Sequence, residues 1–247
     1  MKKSLFIVLA YSTLLTLSEL AYRMVFNIPR LNAGQTAETF ALIAAFAAAY
    51  LFARYRASRV LIFAFFAASM IINNIHYTVY QSWITGINYW LMFKEITEVG
   101  TAGASMLSLV WLPVLWALAE SALFFSLGRF RRKTHRLADF VFFAAMALIA
   151  VRSFKTTQEH GISPKPTYSR IKANYFSFGY FAGRILPYQI FHLSKVPVYS
   201  HPAPAKTASA DSPQNIILVM GESESAAHLK MFGYERDTSP FVDSLKN

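Results

Sequence analysis

The stretch MLSLVWLPVLWALAESALFFSL, residues 106–127, carries one charge, Glu120, in 22 residues. As an α-helix it is roughly 33 Å long at 1.5 Å per residue, enough to cross a bilayer core about 30 Å thick. A surface helix of a soluble protein keeps a polar face along its length, and this stretch has none. Four more runs of the same character lie around it, at 5–26, 37–53, 60–76 and 137–154. The runs at 37–53, 60–76 and 137–154 are short, and basic residues at their ends can snorkel to make up the length.

The whole chain agrees with that reading. Of its 247 residues 55% are hydrophobic and 15% charged, with a mean hydropathy of +0.34, against about 25% charged in an average soluble domain. Such a balance excludes a disordered chain and an ordinary cytosolic enzyme. The absence of cysteine excludes disulfide stapling, zinc–thiolate sites and a cysteine nucleophile. The net charge of +11 does not point to nucleic acid, because its location follows the apolar runs. Ten of the 24 cations fall at Lys2 and Lys3, at Arg54, Arg56 and Arg59, and at Arg129, Arg131, Arg132, Lys133 and Arg136, with no acid among them. By the positive-inside rule these are cytoplasmic loops. The N-terminus is then inside, Arg30 and Lys94 lie in the outer loops, and everything after Phe154 is outside. Met1-Lys2-Lys3 ahead of an apolar run also suits a signal peptide. No small-x-small site follows, so a retained first helix is expected.

Charges inside spans have a high cost and need partners. Glu19 and Arg23 are spaced i,i+4, which suits an ion pair on one helix face. Glu120 has no local partner, and a cation on another helix is expected to meet it. Glu38 and Asp139 lie near span ends, where the interface can solvate them. Pro113 is expected to kink its helix for packing.

Between the third and fourth runs, Trp83, Tyr89, Trp90 and Phe93 suit a short helix lying in the membrane interface. Asn88, Glu95 and Glu98 there are either its solvated face or groups that meet a lipid headgroup. Residues 155–195 are basic and aromatic without an apolar run of spanning length, and read as one or two amphipathic helices on the outer leaflet. Residues 196–214 hold Pro197, Pro202, Pro204 and Pro213 among Ala and Ser, an extended linker and a domain boundary.

After the linker, Asn215-Ile216-Ile217-Leu218-Val219-Met220 is a continuous β-favouring run, as in a strand buried on both faces of a parallel sheet. Gly221-Glu222-Ser223 follows at its carboxyl end, where open α/β sheets bind ligands. A short helix closed by Gly233 comes next, then Gly233-Tyr234-Glu235-Arg236-Asp237-Thr238-Ser239-Pro240. This double motif resembles the opening of the periplasmic phosphoethanolamine transferase domain, in the family that modifies lipid A or the lipooligosaccharide inner core and confers polymyxin resistance. The wording of 222–232 is most similar to the inner-core branch, which implies a heptose acceptor.

The resemblance implies five transmembrane helices at 1–154, interfacial bridging helices at 155–195, a linker at 196–214, and at 215–247 the start of an alkaline-phosphatase-like α/β domain. It implies a multi-pass inner-membrane enzyme with a periplasmic C-terminal part. Phosphoethanolamine moves from phosphatidylethanolamine to lipooligosaccharide or lipid A through a zinc-activated threonine. Glu222 inherits the role of zinc ligand. The threonine and the remaining ligands match no position here, so no catalytic residue is assigned within 1–247. The family's lipid-A branch holds the donor headgroup with polar residues between spans three and four. Asn88, Glu95, Thr97 and Glu98 are the candidates here. One strand and one carboxylate neither bury a parallel sheet nor hold zinc, which takes about four ligands. The chain is therefore expected to be part of a longer polypeptide, inactive alone, with its last 33 residues weakly packed. Two other readings stand beside this one. One is a membrane-anchored sulfatase-like hydrolase or glycerophosphotransferase, and the other a non-enzymatic five-helix transporter or scaffold.

Overall fold

A computed structural model describes residues 2–130, 134–155 and 164–191. The apolar runs form α1 (Lys2–Val25), α2 (Ala33–Phe52), α3 (Arg56–Tyr80), α6 (Leu107–Ser126) and α7 (Arg136–Lys155). All five are long and apolar enough to cross a membrane, consistent with a multi-pass membrane protein. Between α3 and α6 lie α4 (Gly86–Lys94) and α5 (Ile96–Ser105), and after α7 comes α8 (Arg170–Tyr180). A π-helical turn at Phe181–Ile185 carries α8 into α9 (Leu186–Ile190). The described residues contain no β-strand, only one bridge between Ala53 and His135. The strand expected at 215–220, Glu222 and the rest of the double motif lie outside the described residues.

Local chemistry fixes the helix ends. Asn32 and Gln35 form a reciprocal capping box, which starts α2 four residues before the apolar run does. Thr85 caps α4 and Ser169 caps α8 through their hydroxyls. After α1, Asn27 turns left-handed with φ 54°, and the Ile28 amide bonds Arg23 O at 2.9 Å. That is the six-to-one bond of a Schellman ending, with Asn in place of the usual Gly. Where the sequence suggests one interfacial helix, the chain makes two, α4 and α5, meeting at Glu95.

Packing is arranged for an apolar solvent. Leu5, Phe6, Leu14 and Leu17 of α1 and Phe140, Leu148 and Val151 of α7 face outward. Ser12, Ala47, Ser69, Ala117 and Ser121 are buried between helices. Lipid is as apolar as leucine, so small residues that permit close approach hold such a bundle. α3 is central and packs against α2, α6 and α8. Phe66 of α3 stacks on Phe124 of α6 with ring centres 4.0 Å apart. Tyr11 of α1 and Ser126 of α6 lie 2.9 Å apart, and because Ser126 gives its proton to Leu123 O, Tyr11 is the donor.

Two contacts depend on glycine. At Gly183 a Cβ would lie 2.2 Å from Ala150 O, so the turn after α8 meets the α7 backbone directly. At Gly86 a Cβ would lie 2.7 Å from the Tyr180 ring and 3.1 Å from Ser177 O, which fixes the start of α4 on α8. The segment expected to rest on a lipid surface thus has Ile171, Ala173, Asn174 and Ser177 buried against protein. Asp139 is buried rather than interface-solvated. It accepts from the amides of Arg54 at 2.9 Å and Tyr55 at 3.4 Å and so closes the α2–α3 turn onto α7.

Candidate functional site

Glu19, Arg23 and Glu120, ionisable residues inside the spans, converge toward the end of the bundle where α1 and α3 finish. Glu19 and Arg23, one turn apart on α1, pair at 2.9 Å as their spacing requires. The cation that meets Glu120 is Arg170, the first residue of α8. Its Nη1 and Nη2 grip both Glu120 oxygens at 2.9 and 2.8 Å in a bidentate fork, and its Nε donates to Glu19 Oε2 at 2.7 Å. Nη1 also donates to Asn74 Oδ1 at 2.9 Å, and the guanidinium lies 4.4 Å from the Tyr22 ring centre. Glu120 Oε1 accepts from Ser18 as well, and Ser18 accepts from the Trp116 indole. Arg23 donates to the carbonyls of Pro29, Pro166 and Tyr168.

Two carboxylates and two guanidiniums cancel in charge, and their polar atoms meet each other across α1, α3, α6 and α8. Burial opposes the charge on Arg170, yet Glu120 and then Glu19 hold its guanidinium above its ordinary pKa. A set paired in this way is committed to structure, its charges and most of its donors turned toward one another. It is a clasp that fixes the segment after α7 to the bundle.

A second polar layer joins α3, α4 and α8 beside it. Asn73 Nδ2 donates to Ser69 O at 2.9 Å and to Arg170 O at 3.3 Å, and its Oδ1 accepts from the Ile84 amide. Asn174 Nδ2 donates to Ser69 Oγ at 2.8 Å, and its Oδ1 accepts from the Tyr89 hydroxyl. Burial pushes the Tyr89 phenol above its ordinary pKa, so it serves as a neutral donor. Ser177 donates to Ile84 O at 2.6 Å. Tyr89, Phe178 and Phe181 pack above this layer with ring centres 5.7 to 6.0 Å apart.

The candidate headgroup residues divide. Asn88 is half-buried and engaged: its amide bonds His76 Nε2, and its Oδ1 accepts from Thr85 Oγ1 at 2.9 Å. His76 is held in turn by Ser82 O at 2.7 Å from Nδ1. Glu95 is half-buried at the joint of α4 and α5, while Thr97 and Glu98 are exposed on α5. Among the described residues neither Glu95 nor Glu98 forms an ion pair. The structure thus brings Asn88 to His76 but leaves Glu95, Thr97 and Glu98 outside that hydrogen-bonded group. No group of three His, Asp or Glu that could hold a metal occurs among the described residues.

Reading the sequence in register misses Arg170 as the partner of Glu120, because 50 residues separate them. One signal was present: a single unpaired acid within a span demands a cation from elsewhere. Comparison of the chain with protein families, curated proteins and solved structures finds no match.

Proposed function

We propose that this chain is the membrane domain and the opening of the catalytic domain of a phosphoethanolamine transferase. Its donor is phosphatidylethanolamine, and its acceptor is the inner-core heptose of lipooligosaccharide or lipid A. The observation that carries the reading is the pairing of the double motif, Gly221-Glu222-Ser223 and Gly233 to Pro240, with five preceding helices of spanning length. The donor is itself a lipid, so its phosphorus has to be reached at the membrane surface, and a catalytic domain tethered to a bundle meets that need.

Two features support it. The Arg170 clasp ties the segment after α7 back into the bundle, which makes a fixed base for whatever follows. Beside that base, α4 and α5 carry aromatic side chains and the exposed Thr97 and Glu98 at the same end. Glu98, with Glu95, has the charge to meet a headgroup ammonium. In this reading the N-terminus is cytoplasmic, the basic loops are inside, and the α4–α5 end faces the periplasm of the inner membrane. Glu222 is one zinc ligand, and zinc there supplies Lewis-acid activation of the nucleophile and neutralises phosphoryl charge.

The test uses a chain carrying the whole catalytic domain, expressed in a Gram-negative cell whose glycolipid is examined by mass spectrometry. Glu222→Ala is expected to abolish the added phosphoethanolamine with the protein still in the membrane. Undiminished modification rejects the metal assignment. Loss of sulfate-ester or glycerophosphate chemistry, with phosphoethanolamine never present, favours the neighbouring hydrolase or glycerophosphotransferase reading.

A further inference from the structure

At the opposite end of the bundle, three arginines line one pocket of about 420 Å³ formed by α2, the start of α3 and the turn after α6. They are Arg56 and Arg59 of α3 and Arg129, with Tyr50, Phe125 and Gly128 completing the wall. Among the described residues no acidic one lines it. Among the described residues none of the three arginines forms an ion pair. The Nε of Arg59 is buried there without a hydrogen-bond partner among the described residues. The carboxylate on α7 at this end, Asp139, is committed to the amides of Arg54 and Tyr55. Tyr50 turns its hydroxyl to Phe125 O at 3.5 Å, and at Gly128 any Cβ would lie 3.2 Å from that hydroxyl.

Three guanidiniums with no counter-charge among the described residues, one with a buried donor unmatched there, form an incomplete arrangement. A phosphodiester completes it, because a guanidinium fork matches phosphate oxygens two at a time. The same pocket has an apolar side. Val60 and Phe63 of α3 line it with Phe125, and Val60 and Phe125 are 57% and 60% exposed on the flank of spanning helices. A ligand seated here therefore has a phosphate head against the arginines and hydrocarbon along Val60, Phe63 and Phe125. We propose that this pocket binds an anionic glycerophospholipid of the phosphatidylglycerol type from the leaflet at the basic end. The three cations also set selectivity. A zwitterionic lipid would bring its ammonium among guanidiniums, whereas a net anionic head brings none. The proposal does not depend on the transferase reading, since it concerns the other end of the bundle.

The experiment uses the purified 247-residue chain in mild detergent, given an equimolar mixture of phosphatidylglycerol and phosphatidylethanolamine, with retained lipid read by native mass spectrometry. Wild type is expected to retain phosphatidylglycerol about tenfold over phosphatidylethanolamine. Arg59→Gln with Arg129→Gln is expected to bring the ratio near one, whereas Arg136→Gln, a charge loss outside the pocket, leaves it unchanged. Arg59→Lys keeps the charge but loses the fork, and is expected to reduce the ratio partly, a readout that survives if the double variant fails to fold. Equal retention by wild type overturns the proposal. So does a ratio kept by the double variant, or one lost equally in Arg136→Gln. Displacement of the lipid by millimolar inorganic phosphate overturns the lipid assignment in favour of a soluble phosphate compound.

Discussion

Arg170 has 0% exposure, and four of its hydrogen bonds reach Glu19, Asn74 and both oxygens of Glu120. Removing one member of a buried pair leaves the other charge uncompensated, which costs about 3–5 kcal/mol. Arg170→Met is expected to lose that much, read as thermal unfolding of the purified chain in detergent. The loss falls mainly on Glu120, which among the described residues keeps the Ser18 hydroxyl, whereas Glu19 still has Arg23. Adding Glu120→Gln to Arg170→Met is therefore expected to recover part of the loss, because a neutral amide is easier to bury than an orphaned carboxylate. If the double variant is no more stable than the single one, the clasp is not what the charge holds together. The neighbouring pair Lys172–Glu38, at 2.7 Å, is a useful contrast. Glu38 is 48% exposed there, and Lys172→Ala is expected to change stability by no more than about 1 kcal/mol. Half of the clasp was legible in sequence. The i,i+4 spacing of Glu19 and Arg23 is a local signal, but the choice of Arg170 among many cations is a tertiary one.

Among the elements, the five long helices follow from hydropathy, since length and apolarity leave few other solutions. Their ends depend on caps that a hydropathy reading passes over. Asn32 starts α2 early, and the left-handed Gln81 at φ 53° closes α3 after Tyr80. The docking of α8 was not legible, because its aromatic and basic composition suits a lipid surface as well as a protein one. What decides between them is backbone proximity at Gly183, and glycine's lack of a side chain shows its purpose only once Ala150 is seen opposite. Gly183→Ala is expected to lever the turn away from α7 and cost about 2 kcal/mol. Gly100→Ala in α5 meets nothing within 4 Å. It is expected to stabilise by up to about 1 kcal/mol through helix propensity. Thermal unfolding of the two variants side by side checks the contrast, and equal behaviour would mean that the close approach at Gly183 is not a constraint.

For the molecule as a whole, charge is segregated by end. The ends of α2 and α6 and the starts of α3 and α7 carry Arg54, Arg56, Arg59, Arg129 and Arg136, while the α4–α5 end carries Lys94 with Glu95 and Glu98. The acid at the basic end is Asp139, which accepts from two backbone amides there. Lys and Arg resist translocation while acids contribute little to orientation, and the orientation proposed above, with the basic end inside, rests on this asymmetry. The consequence reaches the functional proposal directly, because the proposed periplasmic site at Glu222 requires the chain after α7 to emerge on the envelope side. Alkaline phosphatase, which folds to activity only outside the cytoplasm, is expected to be active when fused after Phe191. A fluorescent protein that matures in the cytoplasm is expected to glow when placed between Phe130 and Thr134. Neutralising Arg129 and Arg136 together with Arg131, Arg132 and Lys133 is expected to blur both signals, because the bias that orders α6 and α7 is then gone. The opposite pair of results, a dark fusion at 130–134 and an inactive one after 191, reverses the bundle in the membrane. It would place the double motif on the cytoplasmic side and reject the proposed periplasmic site.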